Sequence, residues 1–178
     1  MRTVLTLVLV GALAAAGSGC GYSLAGRGSF LPSSIRVIGV PEFVNQTPYL
    51  EVERRFSERV RTELIGRGRY QVLAQESGAD AALRGAITGL SIVPANFNEA
   101  QQATRYIIVI NTRISLVDLK TNKALWENPS MVVREEYDLP PDTQAGDPAA
   151  FFGQGSNALD RVANDFARSV VSAILEAF

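Results

Sequence analysis

The 178-residue chain contains no histidine and only one cysteine, and these two shortages exclude several kinds of site. Histidine is the commonest general base near neutral pH and a common metal ligand. One cysteine forms neither an internal disulfide nor a thiolate zinc cluster. Aromatic residues make up only 8% of the chain, so aliphatic side chains must supply most of any core. The sequence therefore predicts no metal centre and no cofactor.

An excess of charge of either sign is also missing. The chain has 17 Lys and Arg residues against 18 Asp and Glu residues, for a formal net charge of −1. This balance argues against a nucleic-acid partner, because such binding depends on neutralising phosphates. Hydrophobic residues make up 47% and charged residues 20%, which is typical of a folded domain rather than a disordered chain. The length suits one domain.

The first nineteen residues have the pattern of a secretory signal peptide. Arg2 precedes an apolar run from Val4 to Ala16, and small residues follow. The run is shorter than the ~20 apolar residues that a membrane-spanning helix needs. A buried core helix is the alternative interpretation, but the segment lacks an N-cap and ends abruptly in glycines. We therefore interpret residues 1–19 as a signal peptide.

The signal is followed by Cys20, and small residues before a cysteine resemble the lipobox of bacterial lipoproteins. That resemblance implies cleavage before Cys20 and acylation of its thiol and amine, although Gly17 stands where leucine is usual. The alternatives are a free thiol or an intermolecular disulfide, but a lone exported thiol is prone to oxidation. Two or more acyl chains anchor a protein durably. Gly21, which is not aspartate, indicates the outer membrane by the same resemblance, and residues 20–33 are predicted to form a lipidated tether.

Hydrophobic periodicity predicts a single domain over residues 34–178. Ser34–Val40 is typical of a first strand, and Tyr49–Arg67 is typical of a helix with an apolar residue at every fourth position. Thr47 and Pro48 are predicted to begin this helix as its N-cap and its first-turn proline.

Four further strands and a second helix are predicted. The strands are Tyr70–Leu73, Ala81–Val93, Arg105–Leu119 and Lys123–Leu139, and a polar loop covers Pro94–Thr104. The last two strands form a hairpin in which alternate residues from Ile108 to Leu116 share a face. A helix is predicted from about Ser156 to the end of the chain. Its buried stripe is expected to comprise Leu159, Val162, Phe166, Val170 and Ile174, with Ala163 and Ala167 beside it and Val171 and Leu175 widening it.

Two features inside these strands predict irregular packing. Gly85 and Gly89 are expected to lie on one face of their strand, where glycines indicate a bulge or a close approach, here of a packed helix. Pro129 predicts an edge strand or a bulge, because proline cannot donate to a sheet ladder.

The order of the predicted elements is β-α-β-β-β-β-α, which lacks the regular alternation of parallel βαβ units. It favours an α+β fold with two helices packed on one face of a mainly antiparallel (mixed) sheet of four to five strands.

Several segments, in this order and spacing, resemble the LptE family of lipopolysaccharide-assembly lipoproteins. They are GCGYSLAG at 19–26, the whole of 31–73, ADAALRGAITGLSI at 79–92 and VDLKTNKALWE at 117–127, followed by the long C-terminal helix. The resemblance implies an outer-membrane lipoprotein, attached on the periplasmic side through its N-terminal lipid, that is not an enzyme. Its implied partners are an LptD-type β-barrel, which it plugs and helps to assemble, and lipopolysaccharide, which it helps to deliver and binds.

Recognition of lipopolysaccharide phosphates would require arginine or lysine side chains. Five such residues lie on or beside the predicted hairpin and are the candidate lipopolysaccharide-binding residues: Arg105, Arg113, Lys120, Lys123 and Arg134. The alternative interpretation is that they are ordinary exposed charges that protect the edge of a sheet.

Two other functions remain open at the level of sequence. Other envelope lipoproteins share the first strand, the asparagine-rich turn and the first helix, so a regulator of a cell-wall synthase or a component of a secretion pore is the alternative. An enzyme is disfavoured, because catalysis without histidine would depend on paired carboxylates or on serine and lysine. The adjacent acids Glu135 and Glu136 would point to opposite faces of a strand.

Overall fold

The computed structural model describes residues 31–67, 69–101, 103–138 and 156–178. The predicted signal peptide, Cys20 and most of the predicted tether lie outside these residues. The described elements are β1 (Val37–Gly39), β2 (Val44–Asn45), α1 (Val52–Gly66), β3 (Gln71–Leu73), β4 (Ala81–Phe97), β5 (Ala103–Asp118), β6 (Lys123–Asp138) and α2 (Ser156–Leu175).

The strands form one mixed sheet in the order β3-β1-β4-β5-β6, and β2 also pairs with β4. Strand β1 is parallel to β3 and β4, and β2 is parallel to β4. The three long strands β4, β5 and β6 are antiparallel to one another. The predicted α+β class is confirmed. In the described residues the sheet has six strands, whereas the sequence predicts four to five. Strand β2 was not predicted, because its two residues are too few to leave a periodic signal.

One face of the long strands, here called the core face, is buried against the helices. Leu83 lies opposite Leu116 and Leu90 lies opposite Ile110, and all four side chains are buried. The predicted shared face of β5 is confirmed, since its buried residues are Ile108, Ile110, Thr112, Ile114 and Leu116. The predicted stripe of the last helix is confirmed too, with Leu159, Val162, Ala163, Phe166, Ala167, Val170, Val171, Ile174 and Leu175 buried.

The two helices lie side by side and run in the same direction. An Arg55 guanidinium nitrogen (Nη1) lies 3.0 Å from Asp160 Oδ1 near both N-termini. Twelve residues further along each helix, Arg67 Nη2 donates to Ser172 Oγ at 3.2 Å. Between these contacts the ring of Phe56 stacks on the ring of Phe166, with centroids 4.8 Å apart. The helices therefore form one layer over the core face of the sheet.

The predicted start of the first helix is wrong. Helix α1 begins at Val52, and its N-cap is Glu51, which has a φ of 64° and makes no side-chain capping bond. Asn45 Oδ1 accepts the Thr47 backbone N–H at 2.8 Å, and Thr47 Oγ1 accepts the Tyr49 N–H at 3.3 Å. These short-range bonds make Thr47 part of a turn that precedes the helix rather than its cap.

The predicted polar loop over Pro94–Thr104 is strand at both of its ends. Strand β4 continues to Phe97 and β5 begins at Ala103. Pro94 lies opposite Tyr106 and is followed by a register shift, which is a position where a strand tolerates proline. Hydrophobic periodicity does not predict this part of the strand, because its residues are polar and exposed. Backbone pairing with β5, and not burial, stabilises it.

Gly85 and Gly89 lie on opposite faces, contrary to the prediction, because a bulge between Ile87 and Gly89 reverses the alternation. A Cβ atom at Gly85 would lie 2.8 Å from the Phe43 ring, so the close approach is real but comes from a loop and not from a helix. The Phe43 ring in turn meets Phe166 of α2 edge-to-face at 6.4 Å.

The prediction for Pro129 is confirmed in both of its forms. Strand β6 is an edge strand of the sheet, and its register against β5 shifts between Thr112 and Ile114, where the residues of β6 opposite them are Met131 and Asn128.

Candidate functional site

The five cations predicted from the sequence lie on the β5–β6 hairpin, but they do not form one cluster. Arg105 lies at the distal end, near the start of β5, whereas Lys120 and Lys123 lie at the proximal end, at the turn. From Arg105 to Asp118 there are thirteen steps along the strand, or about 43 Å at ~3.3 Å per residue. The structure therefore does not bring all five side chains to one phosphate group.

Arg105 is bound to the neighbouring strand. Its Nε donates to Asp138 Oδ1 at 2.7 Å, and its Nη1 donates to Glu136 Oε2 at 3.4 Å. The bond to Asp138 and the two carboxylate charges raise the pKa of Arg105 above its ordinary value. Two acidic partners thus already compensate this cation and hold the distal end of the hairpin.

Lys120 takes part in a hydrogen-bonded hub at the proximal end. Its Nζ donates to Asp80 Oδ1 at 2.9 Å, while the backbone N–H groups of Arg36 and Val37 each donate to Asp80 Oδ2 at 3.0 Å. The Lys120 bond, followed by these two backbone bonds, lowers the pKa of Asp80 to about 2. Asp80 therefore joins the start of β1 to the β5–β6 turn.

Sequence reasoning missed Asp80, because its partners lie about forty residues away along the chain. Glu76 was missed as well, although its partner Arg84 is only eight residues away and donates two bonds of 2.7 Å to the carboxylate. The sequence of residues 76–80 by itself indicates only a turn between two strands. The one signal in the sequence is that Asp80 directly precedes a long strand. An acidic residue in that position is too common to identify a hydrogen-bonded hub.

Arg113 and Arg134 occupy the sheet face opposite to the helices, here called the outer face. Arg113 lies between buried Thr112 and Ile114 and is itself exposed, and Arg134 is exposed beside buried Val133. Neither guanidinium forms a hydrogen bond or ion pair with another residue of the described ranges. Lys123 is exposed at the other end of β6, opposite Asp118.

The acidic residues of β6 point to opposite faces, as expected. Glu135 lies opposite Ile108 on the core face, and Glu136 lies opposite Ile107 on the outer face. Burial raises the pKa of Glu135, Asp165 of α2 raises it further, and Arg168 opposes them. Glu135 is thus a partly desolvated carboxyl at the contact between β6 and α2.

In the described part of the chain, no group of three or more acidic, histidine or cysteine side chains is arranged to hold a metal ion. Neither helix combines the length and the hydropathy of a membrane-spanning segment.

Several solved structures are similar to this chain. Protein CT253 from Chlamydia trachomatis is 12% identical, with 81% of this chain and 97% of that chain covered and a TM-score of 0.53. The PelC dodecamer from Paraburkholderia phytofirmans is 15% identical, with 80% and 91% covered and a TM-score of 0.52. Rare lipoprotein B from Shewanella oneidensis is 14% identical, with 75% and 95% covered and a TM-score of 0.41. At these identities the first two similarities show the fold alone, and they define the class as an α+β domain.

The particular family follows from the sequence. The lipopolysaccharide-assembly model, LptE, matches residues 35–174, and the chain therefore belongs to the LptE family of envelope lipoproteins that take part in lipopolysaccharide assembly. The match spans every described helix and strand apart from the last residue of α2. No curated protein sequence matches the chain.

Proposed function

We propose that this protein is an outer-membrane lipoprotein that plugs an LptD-type β-barrel, helps that barrel to assemble and takes part in delivering lipopolysaccharide to the cell surface. Acylated Cys20 holds it to the membrane on the periplasmic side. The observation that carries the proposal is the match to the lipopolysaccharide-assembly family over residues 35–174.

The rigidity of the domain supports a role as a plug. A single core joins both helices to all three long strands, so the domain presents a fixed shape. Stacked Phe56 and Phe166 lie at the centre of the helix layer. A body with this packing retains its shape inside a larger partner, because closely packed interiors are difficult to deform.

The surface charge of helix α1 also supports this role. Ion pairs connect Arg54 to Glu51 and Glu58 along the exposed side of the helix, and Arg67 pairs with Glu63. Individually such pairs add little stability. Together they give a surface of mixed sign and low net charge, which suits the polar interior of a large barrel.

The predicted tether adds a kinetic argument. A lipid at Cys20 restricts the domain to the membrane that holds the barrel, and this raises the effective concentration of one partner near the other without a new contact. Several acyl chains make the attachment durable.

Copurification from solubilised membranes, combined with palmitate labelling, tests the proposal. The wild-type chain is expected to incorporate labelled palmitate and to retain a large outer-membrane barrel, whereas Cys20→Ser should lose the label. A wild-type chain that takes up no label, or that retains no barrel, contradicts the proposal. Retention of a cell-wall synthase, or isolation of a homo-oligomeric ring, would instead favour the alternative function.

A further inference from the structure

Residues 44–50, here called the arch, present apolar side chains to solvent. They comprise β2 and the turn that leads towards α1. Leu50 is 86% exposed, which makes it the most exposed large hydrophobic side chain in the described residues. Val44 is 58% exposed, and Pro48 between them is exposed as well. Apolar side chains gathered on one exposed loop are typical of a binding surface.

The side chain of Asn45 holds the arch in one shape. Its Oδ1 accepts the backbone N–H and the hydroxyl of Thr47, both at 2.8 Å. Its Nδ2 donates to the carbonyl oxygen of Tyr49 and to Glu53 Oε2, both at 2.7 Å. One amide group thus joins the start of the arch to its end and to the first turn of α1.

The chain on both sides of the arch is anchored in the core. The backbone N–H of Phe43 donates to the buried hydroxyl of Ser57 at 2.9 Å, and Val52 beyond the arch is fully buried. Within the arch, the N–H of Gln46 donates to the carbonyl oxygen of Ile87 in β4 at 2.9 Å. A loop held at both ends and in its middle needs little ordering when it binds, and such preorganisation strengthens binding.

The backbone between the arch and α1 is strained. Glu51 has a φ of 64°, in the left-handed region that disfavours residues with a side chain. This conformation leaves Leu50 in solvent while Val52, on the other side of Glu51, is buried. Strain of this kind is concentrated at functional sites, because the surrounding structure has to impose it.

The charges around the arch favour a protein with a basic surface over a membrane or a second copy. Residues 41–53 contain Glu42, Glu51 and Glu53 and no Lys or Arg. Arg54 pairs with Glu51, but exposed Glu42 has no ion pair in the described residues. Anionic lipid surfaces attract basic segments and not acidic ones. Two copies that met through the arch would bring like charges together, which is unfavourable.

We propose that the arch binds an apolar recess with a basic border on the wall of the β-barrel partner. Val44, Pro48 and Leu50 occupy the recess, and Glu42 faces the border. The identity of the partner rests on the proposed function, and the proposal adds which surface of the domain makes the contact. The arch is smaller than the ~800 Å² per partner of a stable interface, so it is one contact of several that a tethered domain makes.

The test measures how much barrel copurifies with the full acylated chain from solubilised membranes. Leu50→Ser is compared with Ile65→Ser, which truncates an aliphatic side chain that is 57% exposed near the end of α1. Leu50→Ser is expected to retain at least about fivefold less barrel than wild type, as for a central contact residue. Ile65→Ser should stay within about twofold, and both unfolding midpoints should remain in the range of surface variants. Equal retention by Leu50→Ser and wild type, or an equal loss in Ile65→Ser, overturns the proposal.

A second arm examines the charge of the border. Glu42→Lys should retain at least about threefold less barrel than wild type, because it places a cation against a basic surface. Glu127→Lys makes the same reversal at an exposed residue of β6 and should retain as much as wild type. Unchanged retention by Glu42→Lys, or an equal loss in Glu127→Lys, contradicts the assigned border.

A photo-crosslinking amino acid in place of Leu50 identifies the occupant of the arch directly. An adduct with the barrel in irradiated cells supports the proposal, and the same amino acid in place of Ile65 should give much less of it. An adduct only with lipid, an adduct only with a second copy of the chain, or no adduct overturns the proposal.

The outcome is separable from that of the proposed function. If wild type retains the barrel and Leu50→Ser retains it equally, the contact assigned to the arch is wrong and the proposed function stands. If wild type retains no barrel, the proposed function fails, and the occupant assigned to the arch fails with it.

Discussion

The two faces of the long strands differ in how much their side chains contribute to stability. On the core face, aliphatic side chains of β4 and β5 meet opposite one another and are almost completely buried. On the outer face, Val132 is half exposed and lies two residues from Arg134, which has no acidic partner in the described residues. Substitutions at neighbouring residues of one strand should therefore differ in how much they lower the free energy of unfolding. Changes on the core face should affect folding, and changes at the two outer-face arginines without an acidic partner should leave folding almost unchanged.

The largest effect on stability is expected from Phe166→Ala, in the helix layer that covers the core face. This ring stacks on Phe56 at 4.8 Å and meets Phe43 edge-to-face, so truncation leaves a cavity at the centre of the helix layer. The free energy of unfolding should fall by about 3–5 kcal/mol. Urea denaturation followed by circular dichroism measures it, and a loss below ~1 kcal/mol would show that the ring is not a central core residue.

The next largest effect on stability is expected at Asp80, which binds Lys120 and two backbone N–H groups. This effect should depend on pH. The folded-state pKa of about 2 is below the ordinary value of 3.8, so the folded state binds the proton of Asp80 less tightly than the unfolded chain does. The stability that this group contributes is complete above about pH 4 and disappears as the pH falls through 2. Asp80→Asn should therefore be less stable than wild type at pH 7 and equal to it near pH 2.

Unfolding free energies measured from pH 2 to pH 7 check this prediction for Asp80. The matched control is Glu99→Gln, because Glu99 is exposed in the β4–β5 turn. A constant difference between Asp80→Asn and wild type over the whole range would show that the hub acts through packing and not through the charge of the carboxylate.

A smaller effect of opposite sign is expected at Glu135. Burial and the charge of Asp165 raise the pKa of Glu135, so the folded state favours the neutral carboxyl. The stability that the neutral Glu135 carboxyl contributes is therefore lost as the pH rises through its folded-state pKa. Glu135→Gln should have a higher midpoint of denaturation than wild type at pH 7, and the difference should close in acid. Glu127→Gln, an exposed change on the same strand, is the control, and an equal gain there would refute the assignment.

The smallest effect on stability is expected from Arg113 and Arg134 on the outer face. Arg113→Gln and Arg134→Gln remove side chains that have no partner in the described residues, so the free energy of unfolding should change by less than about 0.5 kcal/mol. Chemical denaturation of each single variant measures this change. A loss of more than ~1 kcal/mol in either variant would show that the outer face also stabilises the fold and would remove the contrast between the two faces.

Much of the core face could be predicted from the sequence, because periodicity reports burial directly. The stripes of both helices and the alternation along β5 are regular, so their buried residues were identified. The bulge between Ile87 and Gly89 was not, because one extra residue reverses the alternation without changing the composition. The start of α1 was missed because Asn45 and Thr47 form a local turn where their residue types suggested a cap.

The candidate site was less predictable, because long-range contacts decide it. The sequence placed five cations on one hairpin, but it did not reveal that Lys120 is bound to Asp80 or Arg105 to Asp138. These partners are 40 and 33 residues away along the chain. Val132 lies opposite Asn111, two residues from Arg113, and only the strand register of the folded sheet reveals that neighbourhood.

Depletion of the protein from its own cells tests the central claim most directly. Surface lipopolysaccharide and the folded fraction of the partner barrel are measured together as the protein disappears. The proposed role in lipopolysaccharide assembly predicts that both decrease, and that the wild-type chain restores both. Normal levels of surface lipopolysaccharide and of folded barrel after depletion would contradict it.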